Sequence, residues 1–316
     1  LQSRAVGYAL RLKNSTLLGG MGDIDMASVC GVDADGNAYV AGITDSQDFP
    51  LGSAFQETYG GGSQDVFVAK LNETGSNLVY ASYLGGSGIE VCRALSVDVH
   101  GYVYLGGITN SADFPTSSKG YMRTPGGNGD AFVCRVSKDG SSLAYSTYLG
   151  GGDFDEATAI HVEDGGFMLV GGYTTSTDLP ASPGVVQNES AGDWDCFLAR
   201  VQTDVEPPVA DAGEDIEVDQ HQDAVFNGTS TKEEFTMTGW EWTFMYDGAN
   251  RTLDGPTPSF RFDVPGIYEV TLTVVDSAGL QDSDTVLVVV KDIDNPVADA
   301  GPDQTVDEDT EVIFDG

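Results

Sequence analysis

The residues best equipped for chemistry in this chain are carboxylates, and they come in short alternating sets. Asp33-Ala-Asp35-Gly36-Asn37 places acids on alternate positions before a glycine, as an oxygen-ligand calcium loop does. Its counterparts, Asp98-Val-His100-Gly101-Tyr102 and Glu163-Asp-Gly165-Gly166-Phe167, lose the second ligand but keep the acid before the turn, which favours hairpin turns at all three places. Asp153-Phe-Asp155-Glu156 follows a glycine-rich bend, and Asp23, Asp25 and Glu90 occupy similar places. In so acidic a chain these are expected to be solvated. The best metal candidate is the linker Asp292-Ile-Asp294-Asn295-Pro296, because oxygen ligands clustered between modules can stiffen a joint by binding calcium. Asp292, Asp294 and Asn295 are its expected ligands, and no other cofactor is suggested.

No catalytic residue is predicted. His100, His161 and His221 sit in unrelated contexts, outside any His-Glu-x-x-His spacing. The sequence has neither a Gly-x-Ser-x-Gly elbow nor a phosphate-binding Gly-Lys-Ser/Thr. Carboxylate pairs are so common here that none is singled out as a glycosidase dyad. Cys30, Cys92, Cys134 and Cys196 lack Cys-x-x-Cys spacing and allow three pairings. Cys134 and Cys196, within strand-like segments, read as buried small residues.

Fifty acidic against fourteen basic residues give a formal charge of -36, spread along the whole chain. Such a surface repels phosphate backbones and anionic lipid heads, which argues against nucleic acid and membrane-surface partners. From Leu1 onward neither a signal peptide nor an apolar run long enough to insert into a bilayer is read, so the compartment is an expectation argued indirectly. Five asparagines, Asn14, Asn72, Asn188, Asn227 and Asn250, stand in Asn-x-Ser/Thr sequons, which supports an exported, glycosylated protein.

The elements that must position these groups are strands. Forty-one glycines with abundant Thr, Val, Ser and Asp favour short strands and tight turns. Asp65-Val-Phe-Val-Ala-Lys-Leu71 returns at Asp130 to Val136 and at Asp195 to Val201, each time 65 residues on. Asp48-Phe-Pro50 returns at Asp113 and Asp178 with the same spacing, and Leu-Gly-Gly at Leu18, Leu84 and Leu149 nearly so. Within one period, runs from Phe67, Leu78, Cys92 and Tyr102 alternate apolar and polar residues, which predicts a four-stranded antiparallel meander followed by a loop from Asn110 to Gly129. Such a meander cannot bury both faces alone, so copies must stack, radially in a β-propeller.

The recurring Asp-Ala-Phe-Val-x-Arg-Val, the run Leu143 to Gly152, the run Val32 to Thr44 and the closing Asp-Phe-Pro resemble the bacterial and archaeal SBBP β-propeller repeat over about residues 7–204. The resemblance implies a propeller in a large exported protein and brings no general catalytic residues. Three full repeats and a fourth copy of one strand are present, fewer than the four to eight blades usual in propellers, so either blades preceding Leu1 are expected, the favoured reading, or the ring is open or completed by another copy. Tyr8 to Leu12 is expected to be the opening strand.

After Glu206-Pro207-Pro208 a second period of 88 begins: Pro208-Val-Ala-Asp-Ala-Gly213 returns at Pro296, and Phe226-Asn-Gly228 is echoed at Phe314. Its length suits one immunoglobulin-like sandwich. Strands are expected at Gly239 to Phe244, from Gly266 into a turn ending at Gly279, and at Asp284 to Lys291. These residues resemble the polycystic kidney disease (PKD) domain over about 206–291, although the family's Asp-Phe-Gly-Asp-Gly stretch stands here as Thr243-Phe-Met-Tyr-Asp-Gly248.

The expected fold is therefore all-β: β-propeller-like repeats over 1–204, an immunoglobulin-like β-sandwich over 205–292, and the first strands of a second over 293–316, the chain being cut from a longer one. The expected role is that of a non-catalytic extracellular or cell-surface structural or adhesive protein, part of a surface layer or fibre. Its partners would be other copies of itself or cell-surface proteins and glycans; a separate possibility is a carbohydrate-binding propeller with Tyr121 or Trp194 as sugar platforms. The competing reading is the accessory region of a larger secreted hydrolase.

Overall fold

The computed structural model describes residues 14–163, 166–203, 207–230, 237–294, 299, 301 and 303–313. Twenty strands and no helix are found among them, hence none that is long and apolar enough to cross a membrane. The expected strand at Tyr8 to Leu12 lies outside the described residues. The main segments of two compact units are Leu1–Glu206 and Pro207–Glu233 with Met237–Asp276 and Leu280–Gly316.

The first unit is a stack of antiparallel sheets. The strands β1 (Asp25–Val32), β2 (Ala38–Thr44), β3 (Asp65–Leu71) and β4 (Leu78–Leu84) pair in sequence order, as do β5 (Glu90–Val97), β6 (Val103–Thr109), β7 (Asp130–Val136) and β8 (Leu143–Leu149). A third sheet holds β9 (Asp155–Glu163), β10 (Phe167–Thr174) and β11 (Asp195–Gln202). Neighbouring side chains on a strand face opposite ways, so each sheet has two faces to cover. Tyr39, Val66 and Val68 pack in one core with Cys92, Val103 and Leu105 of the next sheet. Tyr104, Ala131 and Val133 in turn meet Ala157, Met168 and Val170 of the third. Each such buried aliphatic contributes about 2 kcal/mol, and stacking is what buries them.

The sheets and the sequence period differ in frame. Strands at Phe67, Leu78, Cys92 and Tyr102 all form, but β3 and β4 finish one sheet while β5 and β6 begin the next. The short Leu84-Gly-Gly link looks locally like a hairpin, yet it carries the chain between sheets. The 110–129 segment instead lies within the second sheet, where it lets β6 and β7 pair. Its residues do structural work: Phe114 N–H donates to Tyr148 Oη at 3.0 Å, and Tyr148 donates to Ser111 O at 2.7 Å. Phe49, Tyr83 and Ser46 repeat the arrangement in the first sheet.

The acid before the turn closes it at Asp33 and Asp98, while residues 164 and 165 of the third turn lie outside the described residues. Asp33 accepts from Asn37 N at 2.8 Å, Asp35 N at 3.1 Å and Tyr39 Oη at 2.9 Å, with Lys70 Nζ at 3.4 Å. Gly36 supplies the positive φ of 83°. Burial alone would raise the Asp33 pKa, but the hydrogen bonds from Asn37, Tyr39 and Lys70 outweigh it and hold the carboxyl at about 2. Asp98 repeats the closure through His100 N, Tyr102 N and Tyr104 Oη. These are hairpin turns, whose acids are occupied by their own donors. Asp33→Ala leaves the buried Tyr39 hydroxyl only the long bond to Gly101 O at 3.4 Å, opens the turn and should cost about 2 kcal/mol, read as a lower urea midpoint at unchanged m.

The second unit is a sandwich. Its main sheet runs β13 (Ile216–Asp219), β20 (Gln281–Lys291), β19 (Gly266–Asp276), β16 (Met237–Tyr246), β17 (Ala249–Asp254). Shorter pairs complete it: β12 (Ala210–Asp211) with β15 (Thr229–Ser230), and β14 (Gln222–Val225) with β18 (Ser259–Phe262). Strand β20 is longer than expected and lies between β13 and β19, pairing parallel with β13 and antiparallel with β19. Alternate residues Trp242, Phe244, Tyr246, Val270, Leu272, Val274, Val286 and Val288 form the core with Phe226 and Phe262. No strand is found among the described residues after Asp292.

Candidate functional site on the third sheet

Two of the three expected metal ligands, Asp292 and Asp294, are among the described residues. Asp292 and Asp294 are exposed, Asp294 N–H donates to Asp292 Oδ1 at 3.0 Å, and Asp294 Oδ1 lies 3.8 Å from His221 Nε2. Asn295 lies outside the described residues. Among the described residues no group of three or more His, Cys, Asp or Glu side chains is arranged to hold a metal.

Of the sequons, Asn14, Asn188, Asn227 and Asn250 are exposed, while Asn72 is half-buried and accepts from Ser76 N and Asn77 N in its turn. All four cysteines are free thiols. Cys92 and Cys134 sit in the core, where burial pushes the Cys92 thiol up to about 12 and Cys134 higher still, so both are inert. Cys196 is exposed, contrary to the sequence expectation, because its side of β11 carries no further sheet among the described residues.

Of the carboxylates expected to be solvated, Asp23 and Asp153 are exposed, but others at the bends are not. Glu90, Asp155 and Glu156 are buried, as are Asp65 and Asp130. Glu90 accepts from Thr109 Oγ1 at 2.6 Å, Ser111 Oγ at 2.5 Å and Gly86 N at 3.1 Å. Asp25 repeats the pattern with Thr44, Ser46 and Gly20. Oriented hydroxyl and amide donors replace lost water, which is why these acids tolerate burial.

One end of the third sheet departs from the repeat. Phe154 precedes β9, Tyr173 is the last residue but one of β10 and Trp194 precedes β11, so the topology brings three rings separated in sequence to one place. Phe154 and Tyr173 stack at 6.0 Å, and Trp194 lies 5.2 Å from Tyr173 and 6.0 Å from Phe154. The same positions hold Ile24, Ile43 and Gln64 in the first sheet and Ile89, Ile108 and Gly129 in the second.

Beside the rings, Glu156 replaces Met26 and Val91 of the earlier sheets. It accepts from Tyr173 Oη and, at 2.5 Å, from Arg93 Nε on β5. The hydrogen bond to Glu156 raises the Tyr173 pKa, so the phenol keeps its proton. Trp194 is 63% exposed and Arg93 half-exposed at the side chain. An exposed indole beside a guanidinium that a buried carboxylate holds in place offers one apolar face and a charged donor edge. Trp194 was legible alone; the cluster was not, although the joint departure from the repeat at 154, 156, 173 and 194 was its signal. Tyr121, the other expected platform, is 66% exposed with its N–H on Tyr145 Oη.

Residues 205–290 match the PKD domain, and residues 79–115 match the beta-propeller repeat. The two modules stand in the order their motifs imply. The curated relatives include the dyslexia-associated protein KIAA0319-like protein of Mus musculus, 31% identical over 146 residues, and the regulatory protein FlaEY of Caulobacter vibrioides, 32% identical over 149. The alignments cover 43% and 45% of this chain but only 13% and 14% of those proteins. Among solved structures, the PKD1 domain from the Vibrio cholerae metalloprotease PrtV is 26% identical, covering 27% of this chain and 98% of that one with a TM-score of 0.23. The fibronectin(III)-like modules of Clostridium thermocellum CbhA are 11% identical, covering 59% and 97% with a TM-score of 0.25.

Proposed function

We propose that this chain is a non-catalytic structural and adhesive part of an extracellular or cell-surface protein, in which propeller-type sheets present a binding face and the PKD domain acts as a spacer. The observation that carries the reading is the cluster of Phe154, Tyr173 and Trp194 beside Glu156 and Arg93. A sugar ring can lay its C–H face on the indole while its hydroxyls meet the half-exposed Arg93 guanidinium, which the buried Glu156 carboxylate holds in place. With a formal charge of -36, the chain favours neutral glycans over polyanionic ones.

The exposed sequons support export and glycosylation. Calcium at Asp292, Asp294 and Asn295 belongs to the same reading, since two carboxylates and an amide fall within four residues; a melting temperature indifferent to a chelator would remove it. Titration of the intact chain with neutral oligosaccharides, followed by tryptophan fluorescence, tests the adhesive face. Trp194→Ala should weaken binding at least tenfold while leaving the melting temperature within about 1 °C, because surface truncations away from the core change stability by less than about 0.5 kcal/mol. No binding across neutral glycans would sink the sugar reading.

A further inference from the structure

The joints between sheets hold acids where electrostatics disfavours them. Asp65 opens β3 of the first sheet, and Glu90 opens β5 of the second; both are 0% exposed. Asp130 and Asp155 stand in the same relation across the next joint, also at 0%. Each pair converges on the first glycine of a Leu-Gly-Gly bend. A Cβ on Gly85 would lie 2.5 Å from Asp65 Oδ1 and 2.7 Å from Glu90 Oε2, and one on Gly150 would collide with Asp130 Oδ1 and come within 2.8 Å of Asp155 Oδ2. The motif is glycine because the carboxyls occupy the side-chain space.

The hydrogen-bond inventory is incomplete by one donor at the first joint. Asp65 Oδ2 accepts from Gly60 N at 2.6 Å, and both Glu90 oxygens are served by Thr109, Ser111 and Gly86. Asp65 Oδ1 is buried without a donor, and so are Asp130 Oδ1 and Asp155 Oδ1. The group that Asp65 can hydrogen-bond across the joint is Glu90, an acceptor like itself, so that bond exists only if a proton lies between them.

We propose that Asp65–Glu90 and Asp130–Asp155 are proton-sharing carboxyl pairs that fasten each sheet to the next, so that the stack loosens as they deprotonate. The titratable groups facing the first pair are Asp113 from the second sheet and Tyr59 and Tyr83 from the first; Tyr148 and Asp113 face one another near the second, and none of these is cationic. Burial chiefly, with repulsion from Glu90 and Asp113, pushes Asp65 up to about 7 against the lowering effect of Gly60 N–H, and burial likewise raises Asp130.

The sign follows from linkage. Between its unfolded value of 3.8 and about 7, Asp65 binds its proton better in the folded chain, so the stability it contributes is full below that window and lost as pH rises through about 7. The folding equilibrium should fall roughly tenfold per pH unit for each such pair within the window.

The test is melting of the intact chain from pH 5 to 8.5, with chelator and with added calcium, for wild type, Asp65→Asn and Asp130→Asn. An asparagine N–H supplies the missing donor at every pH. Each variant should already melt above wild type at pH 5, by a margin that widens up to about pH 7 and then levels, and should show a shallower pH slope. Both keep His100, His161 and His221, so the slope they lose belongs to the pairs. A wild-type melting temperature constant over this range, or variants with the wild-type slope, would overturn the proposal. So would calcium rescue of wild type at pH 8.5 that both variants lack, since a cation would then fill the joint. If the variants do not fold, the infrared band of a protonated carboxyl, present in wild type at pH 5 and gone at pH 8.5, decides the matter.

Discussion

Gly107→Ala is expected to lower the stability of the first unit by about 3 kcal/mol, at the upper end of what an added methyl group costs in a packed interior. Gly107 pairs with Cys92 beside the bulge between Cys92 and Ala94. A Cβ there would run into the Val91 carbonyl oxygen and lie 2.9 Å from the Phe132 ring. A carbonyl in a strand cannot swing aside as a side chain can, so the sheet must bend or the bulge must go. Gly42 and Gly172 stand in the same position against Met26 O and Glu156 O. Gly52→Ala is the control: nothing lies within 4 Å of its Cβ, and its midpoint should move by less than about 0.5 kcal/mol. Equal costs at the two sites, measured as urea midpoints at constant m, would rule out the clash as the cause.

Trp242→Ala should cost the PKD domain about 4 kcal/mol, the range for removing a large buried aromatic, out of the roughly 5–15 kcal/mol that holds a domain folded. Trp242 is 0% exposed, 4.9 Å from the Phe226 ring, and donates from Nε1 to Gly255 O at 3.0 Å. Gly228 has no side chain because a Cβ would lie 2.8 Å from this indole. Trp242→Phe keeps most of the contact and strands the Gly255 carbonyl, so it should cost about 1–2 kcal/mol. A loss below about 1 kcal/mol on Trp242→Ala would mean that the domain closes over the cavity.

The strands were readable because alternation is local: Phe67, Ala69 and Leu71 announce a face whatever lies beyond it. The frame of the sheets was not, because the β4 to β5 link is short and the β6 to β7 connection long, so proximity in sequence favoured the wrong partners. The buried acids were hidden for a related reason. Asp65 and Glu90 meet only once two sheets are stacked, and in a chain with fifty acids neither stands out by type. The ring cluster lay within reach, since comparing Ile108 and Gly129 with Tyr173 and Trp194 marks one copy as different. Its link to Arg93 required knowing that β5 comes within a side chain's length of β9.

The parallel pairing of β13 with β20 bears on how the PKD domain would carry mechanical load. The chain enters β13 at Ile216 and leaves β20 at Lys291, and Ile216 pairs with Val288 while Asp219 pairs with Lys291. Tension between the two ends therefore drags these strands past one another, loading their hydrogen bonds together instead of peeling them one by one. A domain built this way would resist pulling in proportion to the whole patch.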